Sequence, residues 1–155
     1  MTAAGSLRIV VREATDADLP AVLGLYRQPD MDGAAVLSFD AARAIFREFQ
    51  RYPSYRLFVA CEEGESAVVG SYALLLMHNL AHRGARSAVA EDVVVAADRQ
   101  GRGIGRRLMA HALAETRAAG GYKLALSSNR RRTAAHAFYR SLGFVQHGLS
   151  FVVEA

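Results

Sequence analysis

The chain has 155 residues, a formal net charge of +4, 52% hydrophobic residues and 22% charged residues. This composition excludes a disordered chain and is long enough for one domain with a real core. No apolar run approaches the roughly 20 residues of a membrane-spanning helix, and the longest, Ala73-Leu74-Leu75-Leu76-Met77, is of strand length.

In chain order, residues 7–12 alternate imperfectly between apolar and polar and predict a first strand. Thr15, with Asp18 three residues on and Pro20 close behind, predicts a helix start for the pattern Leu19, Val22, Leu23, Leu25, Tyr26. Residues 28–38 read as a loop carrying Pro29, Asp30, Met31, Asp32 and Gly33. A second helix is expected from Asp40, as its cap, to Gln50, with Ala44, Ile45, Phe46 and Phe49 on its apolar side and Pro53 ending it. Residues 56–62 and 67–78 predict two strands around the turn 63–66, with Gly70 marking a bulge. A polar connection, 78–84, leads to a fourth strand, 86–96.

A glycine-rich turn follows, then a helix over 103–118 stopped by Gly120-Gly121, a fifth strand at 122–127 and a helix over 133–142 stopped by Gly143. Closing strands are expected at 144–145 and 149–153. The order is β-α-α-β-β-β-α-β-α-β-β. Short turns make strands two to four antiparallel, and a helical crossover makes strands four and five parallel. The expectation is an α/β fold, a mixed sheet with helices on both faces, in one domain spanning 1–155. Met1-Thr2-Ala3-Ala4-Gly5-Ser6 does not read as a signal peptide, and the single cysteine, Cys61, excludes an internal disulfide, so a cytoplasmic location is expected. Cys61 ends the apolar run Leu57-Phe58-Val59-Ala60 and reads as packing.

The most informative stretch is Glu91-Asp92-Val93-Val94-Val95, a short polar turn, and then Gly101, Gly103 and Gly105 at alternate positions running into a helix. Unpaired N–H groups and the positive end of the helix dipole make such a turn an anion site, commonly for phosphate. It lacks the dinucleotide pattern G-x-G-x-x-G, and no acid follows on the next strand; it also lacks the Gly-Lys-Ser/Thr of a P-loop. Lys123 is the only lysine, while arginines crowd at Arg99, Arg102, Arg106 and Arg107 and at Arg130, Arg131 and Arg132. No helix-turn-helix, zinc pattern or aromatic platform accompanies them, so one polyphosphate ligand explains the charge more simply than nucleic acid. Neither nucleic acid nor membrane is expected as a partner.

The pattern Gln100-x-x-Gly103-x-Gly105 after a valine strand, with Ala137-Phe138-Tyr139-Arg140-Ser141-Leu142-Gly143-Phe144 some forty residues later, resembles the GNAT superfamily of acetyl-CoA-dependent N-acetyltransferases. The resemblance is most specific over residues 90–144. It implies that the backbone amides of Gln100, Gly101, Arg102, Gly103, Ile104, Gly105 and Arg106 hold the pyrophosphate of acetyl-CoA. It implies that the backbone of Val93, Val94 and Val95 pairs with the pantetheine arm. Glu91 matches the family's base and Tyr139 the tyrosine near the thioester sulfur. Many members carry an asparagine three or four residues before an alanine that leads into this tyrosine. Here Asn129 lies ten residues before Tyr139 behind three arginines, which leaves two readings: Asn129 at the CoA arm, or arginines such as Arg131 at the 3′-phosphate.

The implied chemistry is direct attack by an amine on the thioester. An amine with pKa near 10 is deprotonated in only about one molecule in 10³ at pH 7. A carboxylate whose pKa is raised by burial takes that proton, and a phenol protonates the departing thiolate. Asp92 is read as lying on the opposite face from Glu91 and as the weaker candidate. The acceptor groove is expected between 28–38 and 78–84, with Asp32, His78 and Glu91 toward the acceptor. His78-x-x-x-His82 is the closest approach to a metal spacing, and no metal is expected. The acceptor reads as a small-molecule amine, with a protein amine or a non-catalytic acetyl-CoA-binding module as alternatives and a homodimer as a possible assembly.

Overall fold

The computed structural model describes residues 8–31 and 37–155. Strands β1 (Ile9–Glu13), β2 (Tyr55–Glu62), β3 (Val68–Met77), β4 (Arg86–Val95) and β5 (Gly121–Leu126) form one sheet in the order β1-β2-β3-β4-β5. The first four pair antiparallel. Helix α3 (Ile104–Ala118) connects β4 to β5, and the sheet is mixed. In β2, residues Leu57, Phe58, Val59, Ala60 and Cys61 are all buried, the continuous apolar run of a strand covered on both faces.

On one face Leu57, Val59, Cys61 and Ala73 pack with Leu19 and Val22 of α1 (Leu19–Tyr26) and Phe46 of α2 (Phe39–Phe49). On the other, the stacked rings of Phe58 and Tyr72, with centroids 5.2 Å apart, meet α3, where the Tyr72 hydroxyl lies 2.8 Å from His111 Nδ1. Ile104 and Leu108 of α3 are fully buried. Gly70 lets that helix sit close, because a Cβ there would lie 3.0 Å from the Val94 carbonyl oxygen and 3.2 Å from Leu108 Cδ1.

Two irregularities shape the sheet. Ala60 pairs with Gly70 and Cys61 with Val68, so β3 carries an extra residue beside Gly70, the bulge expected from that glycine. In β4, Val94 pairs with Ser71 and Glu91 with Ala73, so Tyr72 faces both Asp92 and Val93. Asp92 takes φ +50°, a conformation that Asp tolerates better than most residues.

The helix starts follow local chemistry. Asp18 accepts from the Thr15 backbone amide at 2.8 Å and from Thr15 Oγ1 at 3.0 Å, and a 3-10 turn, Asp16–Asp18, leads into α1. Helix α2 is capped by Ser38, whose Oγ accepts from the Ala41 amide at 3.2 Å, and not by Asp40. Asp40 lies inside the first turn, where its charge suits the helix dipole.

The chain divides into two compact units at Ala125/Leu126. The second holds α4 (Thr133–Ser141) and a following segment without regular structure. The closing strands expected at 144–145 and 149–153 are not formed. Val145, Leu149, Phe151, Val152 and Val153 are 76–95% exposed, and a strand pattern without a paired ladder has nothing to hold it.

The most heavily bonded buried acid is Asp18. Arg12 donates to it from both terminal nitrogens, at 2.8 and 2.9 Å, across the α1 side of the sheet. These bonds, opposed by burial and assisted by Thr15, hold its carboxyl at about 2 instead of 3.8. A depressed carboxyl contributes stability that is complete above the unfolded range and is lost as pH falls through the folded value. Asp18→Asn is therefore expected to cost about 2 kcal/mol at pH 7. In urea titrations the gap between variant and parent should close between pH 4 and 2; a gap that persists undiminished at pH 2 contradicts the assignment.

Candidate functional site

The site begins where β4 ends. A 3-10 turn, Ala97–Arg99, is followed by extended Gln100, and then Gly101 at φ +76° and Gly103 at φ +80° open α3. Gly103 is the helix cap and has no side chain with which to satisfy the first amides. A Cβ at Gly101 or Gly103 would meet nothing within 4 Å, so backbone conformation and not crowding calls for glycine at both. The buried Ile104 and Leu108 anchor the helix behind this turn. The result is a cradle of amides at the positive end of a 15-residue helix, which fits a pyrophosphate.

The arginines around it are not equivalent. Arg99 pairs with Glu62 at 3.3 Å and with Asp98 at 3.6 Å, so it is already committed. Arg102, Arg106 and Arg107 are exposed beside the turn. Before the turn, Val94 and Val95 pair with Ser71 and Gly70 on β3. The Val95 carbonyl accepts from Gln28 Nε2 at 3.2 Å and from Gln100 Nε2 at 3.4 Å.

Directly opposite residues on an antiparallel ladder share a face. Glu91 faces Ala73, and Ala73 belongs to the α1 and α2 side of the sheet. Asp92 lines a cavity on that same side together with Ala73 and Leu57. The sequence reading that set Asp92 on the opposite face from Glu91 is therefore corrected: the bulge interrupts the alternation and turns two consecutive carboxylates to one side. Glu91 is exposed, so the burial attached to a base at the sequence level is not present. The effect of Asp92 is felt across the cavity. Burial, reinforced by Asp92, pushes the Tyr26 phenol up to about 12, and burial followed by Asp92 and Glu91 raises Tyr55.

Among the acceptor residues, His78 is exposed just beyond β3, and Asp32 lies outside the described residues. The connection to β4 contains His82 and Arg83 at φ +52° and +58°, with the His82 ring 4.8 Å from that of Tyr122. In the second unit, Tyr139 sits on α4 between the rings of Phe138 and Phe144, with centroids at 5.2 and 5.7 Å. Burial raises its phenol, opposed by Arg132. Asn129 organises the entry to α4: its Oδ1 accepts from the Arg131 amide at 3.0 Å, and its carbonyl accepts from the Arg132 amide at 2.9 Å. Arg131 is exposed. Among the described residues no group of three His, Cys, Asp or Glu side chains is placed to hold a metal ion, and no helix is long and apolar enough to cross a membrane.

Within the first unit, then, Glu91, Asp92, Val93, Val94, Val95 and the turn from Gln100 to Arg106 form one continuous stretch. Tyr139, Asn129 and Arg131 belong to the second unit. Sequence reasoning missed the part played by Gln28, Tyr26 and Tyr55, which are distant in the chain and carry no motif. For Asp92 the tolerance of Asp for positive φ was the one available signal.

Residues 19–144 match the family described as the acetyltransferase (GNAT) family. Glucosamine 6-phosphate N-acetyltransferase 1 of Oryza sativa subsp. japonica is 32% identical over 127 residues, covering 80% of this chain and 73% of that protein. A putative acetyltransferase from Agrobacterium tumefaciens superposes with TM-score 0.84 at 35% identity, over 94% of this chain and 99% of that one. A transcriptional regulator from Bacillus halodurans shares the fold, with TM-score 0.87 at 24% identity, over 96% and 100% of the two chains.

The open surroundings and positive φ of Gly103 set the cost of altering it. Gly103→Ala should lower stability by about 1 kcal/mol through backbone strain alone. Urea unfolding checks this, and a stabilised variant would mean that the left-handed conformation is not populated in solution.

Proposed function

Because the chain belongs to the GNAT acetyltransferase family, we propose that it is an enzyme transferring acetyl from acetyl-CoA to the amino group of a small molecule, by direct attack within a ternary complex. The observation that carries this reading is the glycine turn opening α3 immediately after a strand whose bulge turns Glu91 and Asp92 to one face. The amides from Gln100 to Arg106 bind the pyrophosphate, and the exposed Arg102 and Arg106 add positive charge. The backbone of Val93, Val94 and Val95 aligns the pantetheine arm. Asn129 and Arg131 are assigned to the same cofactor.

Glu91 accepts the proton of the attacking amine, directly or through one water, as the N–C bond forms. Tyr139 donates its phenolic proton to the sulfur as the C–S bond breaks. Its raised phenol suits that role, because a proton donor must still hold its proton at working pH. The small-molecule acceptor is supported by the rice relative, whose name gives glucosamine 6-phosphate as its acceptor. His78, just beyond β3, and Asp32 are assigned to the acceptor.

A panel of amines with acetyl-CoA, followed by release of free thiol, tests the reading. Glu91→Gln and Tyr139→Phe should each lower kcat by about 10²-fold at pH 7 while leaving CoA affinity within a few-fold. Unchanged kcat in both would overturn the catalytic assignments. The double variant Gly103→Asp/Gly105→Asp should weaken CoA binding on the order of 10-fold or more by placing carboxylates at the anion site; undiminished binding would remove the pyrophosphate from this turn. With the Tyr139 phenol raised, kcat should hold up to pH about 10 and fall only beyond it, and a decline centred near pH 8 would point to a different proton donor.

A further inference from the structure

Within the first unit, a cavity of about 260 Å3 lies between α1, α2 and the sheet. Its described walls are apolar, with Leu19, Leu23, Phe46, Phe49 and Leu57 prominent, and Asp92 is the one charged side chain among the described lining residues. The described lining residues include no Lys, Arg or His. A phosphate entering here would shed its water without meeting a cation on the described walls, a heavy desolvation penalty. A cation has the opposite prospect, since a carboxylate stands in the wall and aromatic rings surround the space.

The cavity is also in the right place for an acceptor. Asp92 is adjacent in the chain to Glu91, shares its face of the sheet, and immediately precedes the backbone assigned to the donor arm. An apolar cavity of about 150 Å3 already takes up benzene, so a space of about 260 Å3 accommodates a phenylalkyl or branched alkyl group.

We infer that the acceptor is a primary amine on an apolar arm, the arm filling the cavity between α1 and α2 and the ammonium received by Asp92. A sugar phosphate, the acceptor in the rice relative's name, does not suit these walls. The inference rests on the acetyltransferase reading for its catalytic consequence, but the binding site stands on the cavity itself.

The test uses the full chain with acetyl-CoA, a series from n-propylamine to n-hexylamine, 2-phenylethylamine, and glucosamine 6-phosphate. Thiol release gives kcat/KM, and calorimetry gives amine binding. The specificity constant should rise about three- to fourfold per added methylene until the cavity is full, with glucosamine 6-phosphate at least 10²-fold below 2-phenylethylamine. Asp92→Asn should weaken n-hexylamine binding about tenfold while leaving n-hexanol binding unchanged. Asn also tolerates the positive φ at this position, so the fold is kept. Efficient turnover of glucosamine 6-phosphate with no chain-length gradient overturns the acceptor class and leaves the acetyltransferase reading intact. No turnover of any amine, with graded and Asp92-dependent binding retained, overturns the catalytic reading and supports the site. Absence of graded binding in calorimetry overturns the site itself.

Discussion

The two-against-one pairing of Asp92 and Val93 with Tyr72 is the constraint on which the rest of the structure turns. A regular strand would send alternate residues to opposite faces all along β4. Inserting one residue shifts the phase, so that Glu91 and Asp92 share the α1 and α2 side while Val94 returns to the core. Asp92 bears the local strain by taking φ +50°. The residue that holds the bulge in register is itself one of the best buried: Tyr72 is fully enclosed, stacked on Phe58 and hydrogen-bonded to His111 of α3. The helix that presents the glycine turn and the strand that presents the carboxylates are thus packed on the same side chain.

The two faces of the sheet divide the work. The α3 face is tightly filled, with Gly70 chosen for the close approach of Leu108 and the Val94 carbonyl. The α1 and α2 face is packed by Val22, Val59 and Cys61, and a cavity opens on it where Leu19, Phe46, Leu57 and Ala73 form part of the lining. A rigid back supporting an open front suits the proposed donor and acceptor sites. The Arg12–Asp18 pair fastens the start of α1 to the first strand, so the open side has a fixed edge.

Much of this was legible in the residues, and for local reasons. The alternate glycines Gly101, Gly103 and Gly105 reveal their turn because left-handed backbone at two of them is a property of the residue itself. The element order through α4 follows from apolar period and from stops such as Gly120. What was not legible depends on partners. Ser38 and Asp40 are both good caps by type, and only the geometry of the first turn chooses Ser38. The facing of Asp92 depends on Tyr72 twenty residues earlier in the chain, which no local pattern announces. The tail around Phe151-Val152-Val153 has the composition of a strand, yet composition specifies no neighbour, and the segment remains exposed.

The double glutamine contact at Val95 governs how binding energy would be distributed along the proposed acetyl-CoA. A carbonyl oxygen offers two lone pairs, and at Val95 both have donors, Gln28 and Gln100. An incoming amide that bonds there performs an exchange, surrendering one protein hydrogen bond for one to the ligand, so its net yield is close to zero. In the proposed complex the grip would come from elsewhere, chiefly the charged end at the glycine turn, with the middle of the ligand registered more than held. Gln28 stands two residues after α1, so this bond also ties the end of that helix to the end of β4.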